Sequence, residues 1–529
     1  MKLRADIVRM YKDIHGWVGI LSGLALFIAF YAGAITMFEE PLQRWASPPS
    51  PLAAPVSLDR TSELVTKVLA AHPEAARDYT VHLRTGPEQP ARVSWSSRPA
   101  REHAAGTTYY AALAPDGSLQ VDRRGPSAVA QLIDVLHQQV GLPFDHEIAM
   151  PIMGTIALLY AIALVSGVVV LLPSLVSDLF ALRIGRNVKR MWLDVHNVLG
   201  VFSLPFHLIM ALTAVVFAFH DQFYDAQSAT FAHGGRPPAS AKAPPPNGPV
   251  LAPVQVVQRL AEQAPAFTPV GISYGEGRDG APTLRVRGYD PRYGLRGPNF
   301  GMATLDPRSG AITVSDYMPG KQDGWGAAIT SFFALHFGNF GGAGVRWAYL
   351  LLGLAGAFLF YTGNLLWVES RRKRERKAGA VEQTRGTRIL CALTVGVPLG
   401  CVAGIAVTIA AAKPMGLDAS EELHSAIYYA VFLAFTAWAL VRGGARGALE
   451  LLPATAGTLM LIPVATLACL GAHPPRELLV DLLALVGAGS AMLMWRMTRR
   501  RLRTGPTDSV WSRPSDPDGR VTIVETASA

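Results

Sequence analysis

The sequence predicts an all-α membrane bundle of about eight transmembrane helices, into which two periplasmic α/β domains are inserted. Three observations support this fold class. Half of the 529 residues are hydrophobic and the mean hydropathy is +0.26, which is too apolar for an ordinary soluble enzyme. Eight apolar runs are long enough to cross a bilayer as helices. Long polar stretches lie between the first and second runs and between the third and fourth runs.

The basic clusters set the predicted topology, because Lys and Arg collect in cytoplasmic loops. These clusters lie within residues 2–12, 183–190, 371–374 and 499–503. They place both termini on the cytoplasmic side of the membrane. The first apolar run, from about Gly16 to Met37, is too long for the core of a signal peptide and is predicted to be a retained span.

The chain then divides into eight predicted segments. In order, they are 1–39 as the cytoplasmic N-terminus with span one, 40–131 as the first periplasmic domain, 132–192 as an interfacial helix, span two and a cytoplasmic loop, 193–220 as span three, 221–326 as the second periplasmic domain, 327–376 as an interfacial helix with span four, 377–498 as spans five to eight, and 499–529 as a cytoplasmic tail. A Pro/Ala/Gly linker at 233–249 opens the second domain and is predicted to be flexible, and the tail after Thr504 is predicted to be disordered.

Both polar stretches show the patterns of small α/β domains. Each begins with a helical pattern and continues with strand-like segments around a turn, Asp116-Gly117 in the first and Asp306 to Gly310 in the second. The predicted helices are Leu58–Leu69 and Val254–Gln263, and the predicted strands are Thr80–Leu83, Tyr109–Leu113, Leu119–Val121, Thr283–Val286, Gly301–Leu305 and Ala311–Val314. The stretches Leu132–His137 and Ile329–Phe337 are predicted to lie at the membrane surface.

Charge and cysteine content exclude several classes of function. The formal net charge is +9, but the charge follows the topology, so membrane lipid is the expected partner and nucleic acid is not. Cys391, Cys401 and Cys469 lie in apolar runs and form neither a spaced metal set nor a Cys-x-x-Cys-His attachment site, so any haem is expected to be bound without a covalent link. The sequence contains no glycine-rich nucleotide-binding fingerprint and no phosphate loop.

Two histidines in the third apolar run indicate a redox cofactor. His196 and His207 are 11 residues apart, which on one helix is about 16 Å of rise and three turns, so both rings are predicted to leave one face at two depths. Neutral imidazole is a good axial ligand for haem iron, and this spacing suggests two stacked haems. The alternative is that each ring makes a structural hydrogen bond to a neighbouring helix.

An internal repeat brings in further histidines. Residues 11–172 and 192–368 share one plan, in which a span is followed by an external domain, a Leu-His stretch and a second span. The matching motifs are Asp13–Gly19 with Asp194–Gly200, Leu136-His137 with Leu335-His336, and the turn Asp116-Gly117 with Asp306–Gly310.

The repeat predicts two layers of histidines. His15 and His196 both begin spans that leave the cytoplasm, so they form the expected inner layer. His137 and His336 both lie near the outer face. His207 has no histidine at the matching position of the first half, and its depth makes it a third candidate beside His137 and His336 for the outer iron.

These motifs resemble the PepSY-associated transmembrane family. The resemblance rests on the two Asp-x-His-x-x-x-Gly span starts and on Leu204–His207, Leu335–Gly338 and Tyr361–Trp367, and it covers roughly residues 5–376. Members of that family include iron-regulated bacterial inner-membrane proteins and ferric-siderophore reductases that carry b-type haems. The resemblance implies PepSY-like external domains, and it implies haem ligands among His15, His137, His196, His207 and His336.

Together, the residues and the resemblance favour a di-haem b electron carrier that acts as an oxidoreductase. Electrons would enter at the inner haem from a quinol or a cytoplasmic donor and leave through the outer haem to a periplasmic ferric siderophore or other iron chelate. Two alternative interpretations remain. One is a non-enzymatic regulator or binding module that uses the external domains. The other is a transporter of iron or siderophore, which the repeat favours but the scarcity of acidic residues in the first four spans does not.

Overall fold

The structure, a computed structural model, describes most of the chain. The described residues are 4–97, 107–124, 127–175, 188–220, 222, 249–277, 280–296, 301–378, 383–417, 419–471 and 477–504. Several features of the sequence lie outside them, namely the basic loop residues 183–187, His103, positions 233–248 of the linker, and the tail after Thr504.

The described helices, in chain order, are α1 (Ala5–Thr36), α2 (Glu39–Ala46), α3 (Thr61–Ala71), α4 (Ala128–Gln138), α5 (His146–Leu171), α6 (Val188–Phe202), α7 (Leu204–Ala218), α8 (Pro253–Gln263), α9 (Gly324–Phe337), α10 (Gly342–Lys377), α11 (Arg385–Met415), α12 (Glu421–Arg442), α13 (Gly444–Ala468) and α14 (Leu479–Thr504). Among the described residues, seven helices are long and apolar enough to cross a membrane: α1, α5 and α10 to α14. The bent pair of α6 and α7 brings the number to eight if it forms one span. The chain is therefore a multi-pass membrane protein.

The third span is not the single straight helix that the sequence predicts. Helices α6 and α7 meet at Ser203 with a bend of 70°. Pro205 lies in the first turn of α7, and a proline there removes an N–H and crowds the carbonyl four residues earlier, which favours a break in the helix at this point. The prediction that His196 and His207 share one face of one helix is therefore wrong, because the bend lies between them.

The two polar stretches form one sheet. Its strands are β1 (Asp78–His82), β2 (Val93–Ser96), β3 (Thr108–Leu113), β4 (Leu119–Arg124), β5 (Thr268–Glu276), β6 (Pro282–Tyr289), β7 (Gly301–Leu305) and β8 (Ile312–Tyr317). All neighbours are antiparallel in the order β4-β3-β2-β1-β5-β6-β7-β8, which confirms the predicted hairpin around Asp116-Gly117. The two halves join where β1 pairs with β5, and the sequence analysis did not predict this contact.

The two faces of this sheet differ. On one face, α3 and α8 pack their apolar sides against inward-pointing residues such as Val81, Ile272 and Leu284, all of which are fully buried. Each such side chain contributes roughly 1.5–3 kcal/mol by leaving water. The opposite face is polar, and across it Thr80 pairs in register with Ser273 at the junction of the halves.

A buried polar network joins α2 to the C-terminal helices. Trp45 Nε1 donates to the Asp481 carboxylate at 3.2 Å, and Thr466 Oγ1 donates to the same carboxylate at 2.8 Å. Lys413 Nζ donates to Thr466 Oγ1 at 3.2 Å and lies 4.2 Å from the centroid of the Trp45 ring. All four side chains are buried, so each polar group requires these partners.

Acidification should destabilise the sheet through His82. Burial, followed by the positive charges of Arg287 and Arg92, lowers the pKa of His82 to about 4. In the unfolded chain His82 takes up its proton near pH 6.5. The neutral ring therefore contributes its full stabilisation of the folded sheet above that pH, and about 3 kcal/mol of this stabilisation is lost as the pH falls toward 4. Hydrogen exchange of β1 and β2 amides at pH 7 and pH 4.5 should show this loss in the wild type and a much smaller loss in His82→Gln. Equal losses in both proteins would contradict the assignment.

Candidate functional site

Four histidines lie as two facing pairs among the helices. The ring centroids of His15 on α1 and His196 on α6 are 6.2 Å apart. The ring centroids of His137 on α4 and His336 on α9 are 6.0 Å apart. Each pair takes one ring from each half of the repeat. The structure thus places together the residues that the repeat aligns.

Each of these rings is held through its Nδ1 atom. His15 Nδ1 lies 2.8 Å from the Ala163 carbonyl oxygen, and His137 Nδ1 lies 2.8 Å from the Ala29 carbonyl oxygen. His196 Nδ1 lies 3.2 Å from the Leu359 carbonyl oxygen. A carbonyl only accepts, so Nδ1 carries the proton in these rings and Nε2 keeps its lone pair.

The fourth ring, that of His336, also carries its proton on Nδ1, but its acceptor is a hydroxyl oxygen. Thr213 Oγ1 donates to the Ile209 carbonyl at 2.7 Å, so its oxygen accepts from His336 Nδ1 at 2.8 Å. Hydroxyls also accompany the inner pair, where Thr362 Oγ1 lies 3.1 Å from His196 Nδ1. The four Nε2 atoms are therefore available as neutral ligands, in the arrangement by which proteins orient metal-bound imidazoles.

Glycine exposes each carbonyl acceptor. A helical side chain covers the turn before it, so residue i+4 flanks the carbonyl of residue i. The residue four positions after each acceptor carbonyl is a glycine: Gly33 follows Ala29, Gly167 follows Ala163 and Gly363 follows Leu359. A Cβ on Gly33 would come within 2.7 Å of His137 Nδ1, and one on Gly167 within 2.9 Å of His15 Cε1. Only glycine leaves room for both rings.

The two pairs lie at different depths in the bundle. By helical rise, Ala29, which accepts from His137, is about 21 Å along α1 from His15. Between these levels lies an aromatic cluster of Phe30, Tyr160, Phe206, His207 and Phe360, with ring centroids 5.0–6.3 Å apart in the contacting pairs. Phe30 follows the acceptor of the outer pair, and Phe360 follows an acceptor of the inner pair. The cluster therefore connects the two levels.

His207 belongs to this cluster and to neither pair. Its Nδ1 lies 2.6 Å from Tyr160 Oη, which also bonds the His207 carbonyl at 3.1 Å. Its Nε2 is buried and has no hydrogen-bond partner in the part of the chain that the structure describes. Of the three candidates for the outer iron, the structure brings together His137 and His336 and leaves His207 apart.

Two further described histidines make hydrogen bonds within their own helices or helix ends. His220 Nδ1 bonds the Phe217 carbonyl on its own helix, and His424 Nδ1 bonds the Ser420 carbonyl. Neither belongs to the facing pairs. No group of three or more His, Cys, Asp or Glu side chains comes together within the described ranges, so those residues offer no all-protein metal cage.

The two pairs fit a haem. Two imidazoles on one iron, each with a metal–nitrogen bond of about 2 Å, place their ring centroids about 6 Å apart, which matches both pairs. A porphyrin supplies the other four ligands, so two histidines suffice. All four histidines are half-buried among the helices.

The sequence analysis missed the groups that hold the rings. It assigned no functional role to the glycines of the spans and did not single out Tyr160 or Thr213. A signal was available, because Ser166-Gly167 in span two and Thr362-Gly363 in span four repeat a hydroxyl-glycine pair at matching places. A backbone carbonyl acceptor cannot be recognised in a sequence, because every residue carries a carbonyl group.

Replacing Gly33 by alanine should displace His137. The new Cβ would lie 2.7 Å from His137 Nδ1, so the ring must move away from the Ala29 carbonyl, and we expect a loss of about 1–3 kcal/mol from such overpacking. Gly19→Ala is the matched control on α1, because its Cβ meets no atom within 4 Å. Thermal unfolding in detergent should show a lower melting temperature for Gly33→Ala alone. Equal values for the two variants would contradict the ring placement.

Comparison with known proteins agrees with this architecture. No curated protein matches the chain. Residues 13–370 match the family model of the PepSY-associated TM region, which covers both halves of the repeat and all five candidate histidines. Since this match spans more than half of the sequence, the chain belongs to the PepSY-associated transmembrane family.

Proposed function

We propose that the chain is a di-haem b electron-transfer protein of a bacterial inner membrane, and that it reduces periplasmic ferric siderophores or other iron chelates during iron uptake. His15 and His196 would hold the inner haem, and His137 and His336 the outer one. The donor would be a quinol or a cytoplasmic protein. The external sheet would lie in the periplasm, with both termini in the cytoplasm.

One observation carries this proposal: two imidazole pairs, each with centroids about 6 Å apart and with every Nδ1 bonded to an acceptor. A structural histidine needs one satisfied nitrogen and no facing partner. Here four rings share one tautomer, face each other in pairs and lie at two depths. Hydrogen bonding between helices does not require this arrangement.

A haem bound at each pair would supply one-electron redox chemistry, at a potential that depends on its ligands and their hydrogen bonds. Residues of the chain itself orient the ligands and exclude water. The carbonyls of Ala29, Ala163 and Leu359 orient the imidazoles and raise their basicity. The aromatic cluster around His207 excludes water between the two levels. The Fe(III) chelate takes up one electron, and Fe(II) is held less tightly by hard oxygen ligands.

The second candidate is a transporter of iron or siderophore. The internal repeat favours it, because many transporters consist of two repeated halves with the substrate between them. In this chain the centre of the first four spans holds the aromatic cluster with His207, which offers few polar groups for a hydrated ion. A regulator that binds a periplasmic partner through the sheet remains the alternative if the protein binds no haem.

Haem content tests the proposal directly. Pyridine haemochrome analysis of the purified protein should find about two b-type haems per chain. His196→Ala and His336→Ala should each lose one, because each removes a ligand from a different pair. His207→Ala should keep both, and so should the control His424→Ala, whose ring is buried outside the pairs. A wild-type protein without haem, after expression with ample haem, would refute the proposal.

The hydroxyl of Thr213 should tune the outer haem. Thr213→Val removes the acceptor of His336 Nδ1, which makes the imidazole a weaker electron donor and stabilises the ferric state less. We expect the midpoint potential of one haem to rise by roughly tens of millivolts. Thr213→Ser keeps the hydroxyl and serves as the control. A spectroscopic redox titration gives the answer, and identical potentials for both variants would exclude this role.

A further inference from the structure

Two unpaired guanidinium groups lie on the polar face of the sheet. Arg285 and Arg287 alternate along β6 with the buried Leu284 and Val286, so both point away from the apolar core and both are exposed. In the part of the chain that the structure describes, neither has a hydrogen-bond or ion-pair partner. Their charges are therefore available to a ligand.

Both arginines lie beside the junction of the two halves. Gly271 of β5 pairs in register with His82 on one side and with Arg287 on the other. Gly271 has no side chain, and Arg287 Nη2 lies 3.7 Å from the point where its Cβ would be. In the next row, Arg285 pairs with Ser273, whose Oγ is 2.9 Å from Thr80 Oγ1. The residues next to the two guanidinium groups on this face are therefore small or carry hydroxyl groups.

This face is turned toward the membrane helices. Tyr110, which pairs with Ser94 on the polar face, donates from Oη to the Glu88 carbonyl at 3.2 Å. The Glu88 carboxylate forms a salt bridge with Arg44 of α2, directly after the first span. The strands β4 and β8 at the two ends of the sheet lead into α4 and α9, which carry His137 and His336. A molecule on this face would therefore lie on the side of the outer histidine pair.

The carboxylates on this face do not cancel the two arginines. Asp122 is paired with Arg124 at 2.8 Å, and Glu88 is paired with Arg44. Asp78 is the remaining acid of the described polar rows. Burial raises the pKa of its carboxyl, and Arg285 and Arg287 oppose that rise, so Asp78 is close enough to sense both. His82 is neutral at pH 7, because burial and Arg287 lower its pKa to about 4.

We propose that the polar face of the sheet is the docking site for the ferric chelate, and that Arg285 and Arg287 make it selective for anionic chelates with carboxylate or catecholate oxygens. This inference rests on the proposed function, and it names the substrate class. Guanidinium groups donate two parallel hydrogen bonds to such oxygens, and two adjacent positive charges attract an anion and repel a cation. The Asp78 carboxylate lies beside the two arginines and weakens their attraction for an anionic chelate.

The test measures binding apart from reduction. Gallium(III) forms chelates of the same shape as iron(III) but is not reduced, so a trianionic gallium tris-catecholate is the probe. It is titrated by calorimetry into the full chain in detergent. Arg285→Gln and Arg287→Gln should each weaken binding about tenfold, and added salt should weaken wild-type binding. Asp78→Asn should strengthen it. The control Arg259→Gln removes an exposed arginine from α8 on the opposite face and should change nothing.

A second probe tests selectivity. A gallium tris-hydroxamate with a pendant ammonium group is cationic, and the wild type should bind it more weakly than the trianionic chelate. Equal affinity of the wild type and the Arg285→Gln, Arg287→Gln double variant for the tris-catecholate would overturn the inference, as would a failure of the wild type to bind it. Haem content is measured on the same samples, so absence of haem refutes the proposed function independently of the binding result.

Discussion

The need to satisfy the Nδ1–H of each imidazole in an apolar bundle constrains the membrane part of this structure. An unpaired N–H away from water costs about 1–3 kcal/mol, and the helices offer few free acceptors, because their carbonyls already serve their own backbones. A ring that packs closely on a helix reaches the second lone pair of a carbonyl most easily where the covering side chain is missing. Gly33 and Gly167 provide such openings, because a Cβ would lie 2.7 Å from the His137 ring at the first position and 2.9 Å from the His15 ring at the second, so these two glycines decide where two of the imidazoles lie.

Because the chain contains an internal repeat, the bundle contains two such histidine pairs. Each histidine pair takes one ring from each half, so neither half forms a site alone. The same division continues outside the bundle, where β1 of the first half pairs with β5 of the second. The halves are thus joined at three levels: the inner pair, the outer pair and the sheet. A shift of one half against the other would disturb all three, which couples the external sheet to the geometry of the outer histidines.

The departures from symmetry have separate causes. His207 has no counterpart in the first half, and the bend at Ser203 carries it out of line with His196 into the aromatic cluster. The four C-terminal helices pack on α10 through one apolar cluster, and in a second cluster buried residues of α1, α2 and α4 join those of α11 to α14. The network of Trp45, Lys413, Thr466 and Asp481 fixes that contact. These helices therefore support α4, which carries His137, and leave α9 without the same support.

The sequence alone determined the spans, the repeat and the two layers of histidines, because hydropathy and repeated motifs are properties of contiguous residues. It also placed α3, α8 and the hairpin of β3 and β4 close to where they occur. The tertiary structure decided that His137 pairs with His336 and that His207 lies apart from them, and it decided the bend at Ser203, the joining of the two halves through β1 and β5, and the carbonyl acceptors. Backbone carbonyls and strand edges are the same in every residue, so their partners leave no mark in a sequence. The patch of Arg285 and Arg287 likewise depends on rows that cross the strands, and only the register of the sheet reveals them.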